Sequence, residues 1–391
     1  MRTPYSLSED TFDSKEINAI KKILDLKEKL TYGKYVKKLE KKIASINNRK
    51  FCVMLNSGSS ANLIGVSSLL HIKKYNFNKG DEVIVPALSW STTYSPLIQN
   101  NLKMVFVDIK KETLNLNEDI IEKAITKKTK AIFLANILGL SCNLEKIEKI
   151  SKKFNLILMV DNCESFLSKH RGKMSAKYGV FSTLSSFFSH HFSTIEGGYI
   201  LTDDFDIYCY ALSLRSHGWI REQPKNSKLL NSKYSNFERS FKFVLPGYNL
   251  RPTEINAVIG LEQIKKVRGF LRARKANAKY LYNLFKKSKN CYLQKFDISS
   301  SFFAFALILK KNNRKIIIEE LNKAAIEIRP IVSGNIVKNK MIKDSNHRIF
   351  GSLINTNLIE RNGLMVGNRS SIFTEKEKDA LKNLQNIIDK F

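Results

Sequence analysis

The side chains best suited to chemistry lie in residues 185–198, which read SSFFSHHFSTIEGG. His190 and His191 stand at the centre of this stretch, and an unperturbed imidazole has a pKa near neutrality, as a general base requires. The Gly197-Gly198 pair precedes an apolar, β-branched run, YILT at 199–202, which predicts a turn entering a strand. We therefore expect both histidines on a loop that a strand holds in place, where catalytic groups often occur.

His190 admits three interpretations from its type and its neighbours. A structural role in the core is the usual default for a lone histidine. A metal site would need further ligands, and His191 does not supply one, because adjacent side chains of an extended chain point in opposite directions. The third interpretation is a general base whose ordinary pKa suits proton transfer at neutral pH.

Three other places could carry chemistry. The turn at 56–61, NSGSSA, follows a predicted strand and opens a predicted helix. Its backbone N–H groups could therefore bind a phosphate, although an ordinary N-cap explains the same residues. Trp90 is isolated, which is typical of a core or interface position. Asp161 ends a predicted strand, where an acid can also serve as a simple N-cap.

The elements that must position these residues alternate along the first half of the chain. Continuous apolar runs predict strands at 51–55, 82–87, 104–108, 131–135 and 156–160, and helical periodicity predicts helices at 59–71, 91–100, 118–126 and 144–154. Buried strands separated by helices predict a mostly parallel sheet with helices on both faces. Ligands bind such sheets at the carboxyl ends of the strands.

The flanking segments complete a two-domain organisation. Helical spacing at 14–30 and 35–46 precedes the first strand, and residues 220–240 are polar and weakly patterned, which indicates a long loop. Beyond a helix that opens within 245–260, a strand at 302–309 and helices at 316–325 and 374–390 follow. We therefore predict an N-terminal segment and large α/β domain over 1–250 and a smaller C-terminal α+β domain over 251–391.

The composition is ordinary for a globular protein except in its charge. The 391 residues are 43% hydrophobic and 26% charged, with a formal net charge of +30. The lysines are scattered along helical stretches, and no arginine-rich arm or nucleic-acid motif accompanies them. This pattern favours a solvated lysine-rich surface over a dedicated anionic partner, so we expect no nucleic-acid partner.

Cysteine use and hydropathy indicate the compartment. The five cysteines include no C-x-x-C pair, so they predict reduced thiols and neither a disulfide framework nor a metal site. The N-terminus lacks the apolar region of a signal peptide, and the longest apolar run, 131–140, is too short to span a bilayer. We expect a cytoplasmic protein without membrane association.

The spacing around His190 resembles a known segment. His190 stands five residues after Ser185 and six before Glu196, and no lysine occurs between Lys177 and Lys225. This pattern resembles the cofactor-lysine segment of the DegT family of sugar aminotransferases, which depend on pyridoxal phosphate. Histidine in place of the Schiff-base lysine marks one branch of that family, the sugar-nucleotide 3-dehydratases. The resemblance extends from Tyr5 to about Asn368.

The resemblance implies the fold-type I architecture and a set of cofactor contacts. A large, mostly parallel sheet with a smaller C-terminal domain would bind pyridoxal or pyridoxamine phosphate. Each implied residue matches a family position: Gly58, Ser59, Ser60 and Ser185 for the phosphate, Trp90 for stacking on the ring, Asp161 for the pyridine nitrogen, Glu164 for the ring hydroxyl region, and Asn249 for the phosphate of the other subunit's cofactor. A homodimer with shared active sites follows from the last of these.

The resemblance also implies a reaction. His190, as the base, would help to remove the C3 hydroxyl group from a nucleotide-linked 4-keto-6-deoxysugar, in the biosynthesis of deoxysugars and surface polysaccharides. His217 and Arg329 match positions on the substrate side. One 3-dehydratase type uses an iron–sulfur cluster, whose closely spaced cysteines are absent here, so the expected type regenerates its amine from glutamate.

Two alternatives stay open from the sequence. The first is an aminotransferase that transfers an amine to the sugar without the lysine, and the second is a non-catalytic sugar-nucleotide binding protein on the same fold. One local departure from the family also stands out. Ile195 replaces the first glycine of a Gly-Glu-Gly-Gly run, so a requirement for positive φ there would change the loop locally.

Overall fold

The computed structural model of the protein describes residues 5–230 and 234–391. The strands are β1 (Phe51–Leu55), β2 (Glu82–Pro86), β3 (Lys103–Val107), β4 (Thr129–Ala135), β5 (Ile157–Asp161), β6 (Lys169–His170), β7 (Lys173–Met174), β8 (Phe181–Ser185), β9 (Gly198–Thr202), β10 (Cys291–Leu293), β11 (Ala304–Leu309), β12 (Ile328–Arg329), β13 (His347–Ile349) and β14 (Gly363–Gly367). The helices are α1 (Ser14–Asp25), α2 (Lys34–Ile46), α3 (Gly58–His71), α4 (Ser91–Gln99), α5 (Ile121–Ala124), α6 (Leu144–Lys153), α7 (Phe205–Arg215), α8 (Asn236–Arg239), α9 (Glu254–Phe285), α10 (Arg314–Lys323), α11 (Lys340–Lys343), α12 (Ile354–Asn362) and α13 (Glu375–Lys390).

The large sheet has the strand order β1-β9-β8-β5-β4-β2-β3-β13. All pairings are parallel except those that β9 makes with β1 and β8. Strands β2 and β5 are buried along their whole length, which explains their unbroken apolar sequences. The predicted parallel sheet is therefore confirmed, with strand bounds that differ by at most two residues at either end.

Helices cover both faces of this sheet. On one face α3, α4 and α7 pack against alternate residues of the strands, among them Val53, Leu55 and Ile200. On the other face α2 and the first half of α9 pack against Cys52, Met54 and Leu201, and α6 covers β4 and β5. This arrangement confirms the predicted fold class, and it leaves the carboxyl ends of the parallel strands at one edge, where a site can form.

A second, antiparallel sheet forms the smaller part of the protein. Its order is β10-β11-β14-β12, and α10, α13 and the second half of α9 cover it with a separate apolar cluster. Strand β13 returns from this part of the chain to pair with β3 at the edge of the large sheet. Helix α9 contacts helices that cover the large sheet and a helix that covers the small one. The domain division predicted at residue 250 stays a prediction.

Several predicted elements are shorter than expected, for local reasons. The helix predicted at 14–30 ends at Asp25, because Lys27 adopts a φ of 50°. The helix predicted at 118–126 covers only Ile121–Ala124, and the strand predicted from 302 begins at Ala304 because Phe302 has a φ of 49°. The loop predicted at 220–240 contains the short helix α8, while its residues 231–233 lie outside the described residues.

The surface carries the positive charge in the scattered way that the sequence indicates. Lysines of α6 pair with nearby acids on its exposed face, as in Lys152 with Glu148 at 3.3 Å. All five cysteines are free thiols, and only Cys163 is not fully buried. Across residues 5–230 and 234–391, no helix has both the length and the apolar character that crossing a membrane requires.

Candidate active site

His190 lies on the loop between β8 and β9, and within the described residues only one of its ring nitrogens makes a hydrogen bond. Its Nδ1 is 2.8 Å from the carbonyl oxygen of Cys163. A carbonyl only accepts hydrogen bonds, so Nδ1 carries the proton and Nε2 of the neutral ring carries the lone pair. The imidazole lies near two aromatic rings, those of Phe303 and Phe187, whose centroids are 5.0 and 6.1 Å away. Nε2 is thereby prepared to accept a proton.

The surroundings of His190 keep it neutral. Burial lowers its pKa from 6.5 to about 4, and the positive charge of Arg274 acts in the same direction. The hydrogen bond to Cys163 and the negative charge of Asp161 oppose this shift without cancelling it. At neutral pH the imidazole is therefore unprotonated, which is the state that a general base needs.

His191 has a structural role instead. It is buried, and its Nε2 is 3.2 Å from the carbonyl oxygen of Ser301. Its ring contacts Phe166 and Phe303, and burial lowers its pKa well below the usual value. With Nε2 bonded to a carbonyl and the ring enclosed by aromatic side chains, His191 is not available for proton transfer to a ligand.

Asp161 stands at the carboxyl end of β5, held by three donors. Its Oδ2 accepts hydrogen bonds from Asn62 Nδ2 at 2.8 Å and from Thr93 Oγ1 at 3.0 Å, and its Oδ1 accepts one from the backbone N–H of Cys163 at 3.0 Å. Helices α3 and α4, which follow β1 and β2, thus both fix the carboxylate at the end of β5. Nothing in the sequence distinguishes Asn62 and Thr93 from the other polar residues of α3 and α4.

The Asp161 carboxylate lacks a cation of its own. It is only 6% exposed, and in the described ranges no basic nitrogen lies within 4.0 Å of it. A buried carboxylate without a cationic partner is costly unless a ligand supplies the positive charge. The site therefore fits a ligand with a protonated ring nitrogen, which is the role that the pyridine ring of pyridoxal phosphate would fill.

The start of α3 meets Ser185 at the same edge of the sheet. Ser57 is the N-cap of this helix, and its Oγ accepts the N–H of Ser60 at 3.1 Å. A Cβ at Gly58 would lie 2.8 Å from Cβ of Ser185 and 3.1 Å from Sγ of Cys163, so only glycine allows this close approach. Ser59 is exposed. The turn, the helix N-terminus and Ser185 form a small polar recess suited to a phosphate.

Trp90 and Glu164 lie on the segments that follow β2 and β5. Trp90 is the N-cap residue of α4 and is 56% exposed, so its ring has a face available for stacking. Glu164 is half-buried, and its Oε2 accepts the backbone N–H of Leu138 at 2.9 Å. Burial, reinforced by the negative charge of Asp161, raises the pKa of Glu164 to about 7.

The other three predicted site residues lie on other segments of the chain. Asn249 is exposed and accepts a hydrogen bond from Arg251. His217 has a φ of 62° and donates its backbone N–H to Tyr248, while Arg329 is exposed on β12 at the edge of the small sheet. Within the described part of this one chain, none of them hydrogen-bonds to Asp161, Ser185 or His190. Their roles stay predictions.

Ile195 adopts the conformation that glycine would favour. Its φ is 68°, its side chain is 48% exposed, and its N–H donates to Ser193 Oγ at 3.1 Å. The left-handed region is costly for a β-branched residue. The loop therefore keeps a left-handed conformation without glycine and carries backbone strain at Ile195. This residue lies in the segment that follows the two histidines.

Comparison with known proteins places this site in a family. A profile of the DegT/DnrJ/EryC1/StrS aminotransferase family matches residues 10–385. The chain is 44% identical over 391 residues to the GDP-4-keto-6-deoxy-D-mannose 3-dehydratase of Yersinia pseudotuberculosis, covering 99% of this chain and 98% of that protein.

Solved structures agree with this match over nearly the full chain. One, of GDP-4-keto-6-deoxymannose-3-dehydratase with a trapped PLP-glutamate geminal diamine, has a TM-score of 0.94 at 42% identity and covers 98% of this chain and 100% of its own. A variant of that enzyme with bound GDP-perosamine has a TM-score of 0.93 at 42% identity, with the same coverage. The resemblance read from the spacing around His190 is confirmed: the chain belongs to the DegT/DnrJ/EryC1/StrS aminotransferase family.

Proposed function

We propose that the protein is a 3-dehydratase that uses pyridoxamine phosphate to remove the C3 hydroxyl group of GDP-4-keto-6-deoxymannose. The observation that carries the proposal is His190, a neutral imidazole with a free Nε2, beside a carboxylate that lacks a cation. The relatives named as GDP-4-keto-6-deoxymannose 3-dehydratases support the choice of sugar and nucleotide.

The residues of the site fit the cofactor without a covalent link. Asp161 would hold the pyridine nitrogen, Trp90 would stack on the ring, and the start of α3 with Ser185 would hold the phosphate. When bound, pyridoxamine phosphate supplies a primary amine for the C4 ketone and a ring that accepts electron density. An imidazole cannot replace the lysine amine in a Schiff base, so His190 leaves the cofactor amine free for the sugar.

His190 would perform the proton transfer. Its Nε2 carries the lone pair, and the Cys163 carbonyl holds the opposite nitrogen so that the ring keeps one orientation and one tautomer. Once protonated at Nε2, the ring is an acid that can donate to a departing hydroxyl group. Phe303 packs 5.0 Å from the imidazole, centroid to centroid, and shields one side of the ring.

Glutamate is the proposed source of the electrons. Converting a C3 carbon that bears a hydroxyl group into a methylene group is a two-electron reduction of the sugar, and oxidation of an amine to a ketone supplies two electrons. Each turnover would consume one glutamate and release one 2-oxoglutarate and one ammonia. The PLP-glutamate adduct of the related structure supports glutamate as the donor.

We further propose that the active form is a homodimer with shared sites. Large apolar side chains are exposed along the segment that leads to Asn249: Phe237, Phe241, Phe243, Val244 and Tyr248. Contiguous exposed apolar surface of this kind is typical of a protein interface. A second copy of the chain on this face would cover these side chains and bring Asn249 to the partner's phosphate recess.

Product analysis tests the proposed activity. Purified protein loaded with pyridoxamine phosphate is incubated with GDP-4-keto-6-deoxymannose and glutamate, and the nucleotide products are identified by mass spectrometry and NMR. We expect a 3-deoxy-4-keto sugar, with ammonia and 2-oxoglutarate released in equal amounts. A 4-amino sugar that retains its C3 hydroxyl group would identify an aminotransferase instead, and unchanged substrate together with a protein that binds no cofactor would indicate a binding protein.

A further inference from the structure

Arg274 is a buried cation directly behind the candidate base. It lies on α9, is 4% exposed, and in the described ranges has no carboxylate within 4.0 Å. Its guanidinium instead donates to three backbone carbonyls: Phe303 at 2.9 Å, Asn368 at 3.3 Å and, more weakly, His190 at 3.4 Å. Burial lowers its pKa to about 10, so it remains charged at neutral pH. An arginine that bonds only to carbonyls keeps its full positive charge.

The three carbonyls belong to segments that enclose His190. Phe303 also provides the ring that packs 5.0 Å from the imidazole. Asn368 completes the arrangement, because its Nδ2 donates back to the carbonyl oxygen of Arg274 at 3.0 Å and to that of Phe302 at 2.8 Å. Arg274 thus joins the loop of the base to the segment that covers it.

The same segment leads back to the acidic side of the site. The N–H of Phe303 donates to the carbonyl oxygen of Leu138 at 3.1 Å, and the N–H of Leu138 donates to Glu164 at 2.9 Å. On the other side, Cys163 links His190 to Asp161 through its own carbonyl and N–H. A continuous series of hydrogen bonds therefore runs from Asp161 through His190 and Arg274 to Glu164.

We propose that Arg274 is the positioning residue of the base: it fixes the loop that carries His190, and together with the Phe303 ring it keeps the imidazole in the neutral form that accepts a proton. This proposal rests on the proposed role of His190 as the base. Arg274 contacts neither ring nitrogen and acts only through the backbone, its charge and Phe303.

The other charged groups around His190 do not account for this effect. Asp161, at the carboxyl end of β5, favours the protonated ring. Glu164, on the segment after β5, and Glu196, on the loop of His190 itself, are the other acids of these segments, and burial raises the pKa of each. Ser301, Phe302 and Phe303, in the segment that leads to β11, are uncharged, and burial lowers the pKa of His191 well below its usual value. Arg274 is the fixed positive charge that opposes Asp161.

Titration of His190 tests the proposal directly. The full-length protein carrying its cofactor is labelled with ¹⁵N-histidine, and the pKa of each imidazole is followed by NMR, with His190→Asn used to assign the signal. In Arg274→Met we expect the pKa of His190 to rise by about one unit. In Arg274→Lys, which keeps the charge, it should stay near the wild-type value. Arg272→Met is the matched control, because Arg272 is exposed on the same helix and its loss changes the net charge equally.

A kinetic measurement separates positioning from simple structural support. The acid limb of the pH profile of kcat/KM should move upward in Arg274→Met by the same amount as the pKa of His190, and not in Arg272→Met. Titration needs no turnover, so it gives a result even if the reaction proves to be a different one.

Three results would overturn the proposal. The first is a folded Arg274→Met protein in which the pKa of His190 is unchanged, and the second is an equal shift in Arg272→Met. If Arg274→Met does not fold, Phe303→Leu decides, because it removes the ring and retains the backbone carbonyl that Arg274 binds. We expect the pKa of His190 to rise in that variant, and an unchanged value would be the third contradicting result.

Discussion

At the scale of single residues, two adjacent histidines have different roles because different ring nitrogens are bonded. His190 donates from Nδ1 and keeps Nε2 free, whereas His191 places Nε2 against a carbonyl. The pKa of each is lowered by burial, but only His190 lies beside Asp161 and the phosphate recess. The residue type indicated that a histidine could act as a base. The hydrogen bonds of the two rings favour His190 over His191 for this role.

Glu164 gives a prediction about stability and pH. Its pKa is raised from 4.5 to about 7, so the folded protein binds a proton that the unfolded chain has released. The stability that this proton contributes is fully present below about pH 4.5 and is lost as the pH rises through 7. In cofactor-free protein, Glu164→Gln should match wild type near pH 4 and be more stable by about 1 kcal/mol at pH 8.

Urea unfolding at the two pH values measures this difference. Glu319→Gln is the control, because Glu319 is exposed and its substitution changes the net charge equally. The prediction fails if both variants show the same dependence on pH, since the effect would then come from overall charge.

The predicted site residues show what the sequence can and cannot supply at this scale. The resemblance, which began from the spacing around His190, placed His190, Asp161, Gly58 and Ser185 in one site, and the structure brings them together at one edge of the large sheet. Arg274 was not predicted, because it lies 84 residues from His190 in the chain and contacts only the backbone carbonyl of that residue. A contact to backbone depends on the fold and leaves no pattern in side-chain types.

At the scale of elements, the pattern of continuous apolar runs predicted most strands of the large sheet, because strands such as β2 and β5 are buried on both faces. The pattern did not predict β8, whose sequence FSTLS contains three polar residues. It failed where backbone conformation decides, as at Phe302, whose φ of 49° delays the start of β11. It also missed β13, a three-residue strand whose pairing with β3 requires the chain to return from the small sheet. Short runs of this kind carry too few residues to show a period.

The pair Arg215–Glu40 gives a prediction at this scale, because it joins α7 to α2 at the edge of the large sheet. Arg215 Nη1 lies 2.8 Å from Glu40 Oε1 and 2.6 Å from the carbonyl oxygen of Met54, and the arginine is completely buried. Arg215→Met would leave the carboxylate of Glu40 buried without its cation. We expect the free energy of unfolding to fall by about 3–5 kcal/mol at pH 7.

The free energy of unfolding is measured by chemical denaturation, and two further variants serve as comparisons. Arg171→Met removes an exposed ion pair with Glu145 and should cost less than about 1 kcal/mol. Adding Glu40→Gln to Arg215→Met should recover part of the loss, because the uncompensated charge is gone. Equal losses in Arg215→Met and Arg171→Met would contradict the account of this pair.

At the scale of the whole molecule, one chain contains most of the proposed site and a second copy would complete it. The exposed aromatic residues near Asn249 indicate where that copy lies, and the proposal assigns Asn249 to the partner's site. Mixing Asn249→Ala and His190→Ala subunits would then give hybrid dimers with one intact site and one doubly altered site. We expect dehydration activity to return on mixing, measured after native mass spectrometry has verified subunit exchange. Complete exchange without any return of activity would rule out the shared site.

The central claim, that His190 is the base of a dehydration, is tested most directly by a single turnover of His190→Asn preloaded with pyridoxamine phosphate. Asparagine keeps a polar side chain of similar reach but has no basic nitrogen, and Asp161, Trp90 and the start of α3 are untouched, so folding and cofactor binding should persist. We expect formation of the 3-deoxy sugar to slow by roughly 10²–10⁴-fold, the usual contribution of a positioned base. A rate equal to that of the unmodified protein would contradict the account and assign the proton transfer to another residue.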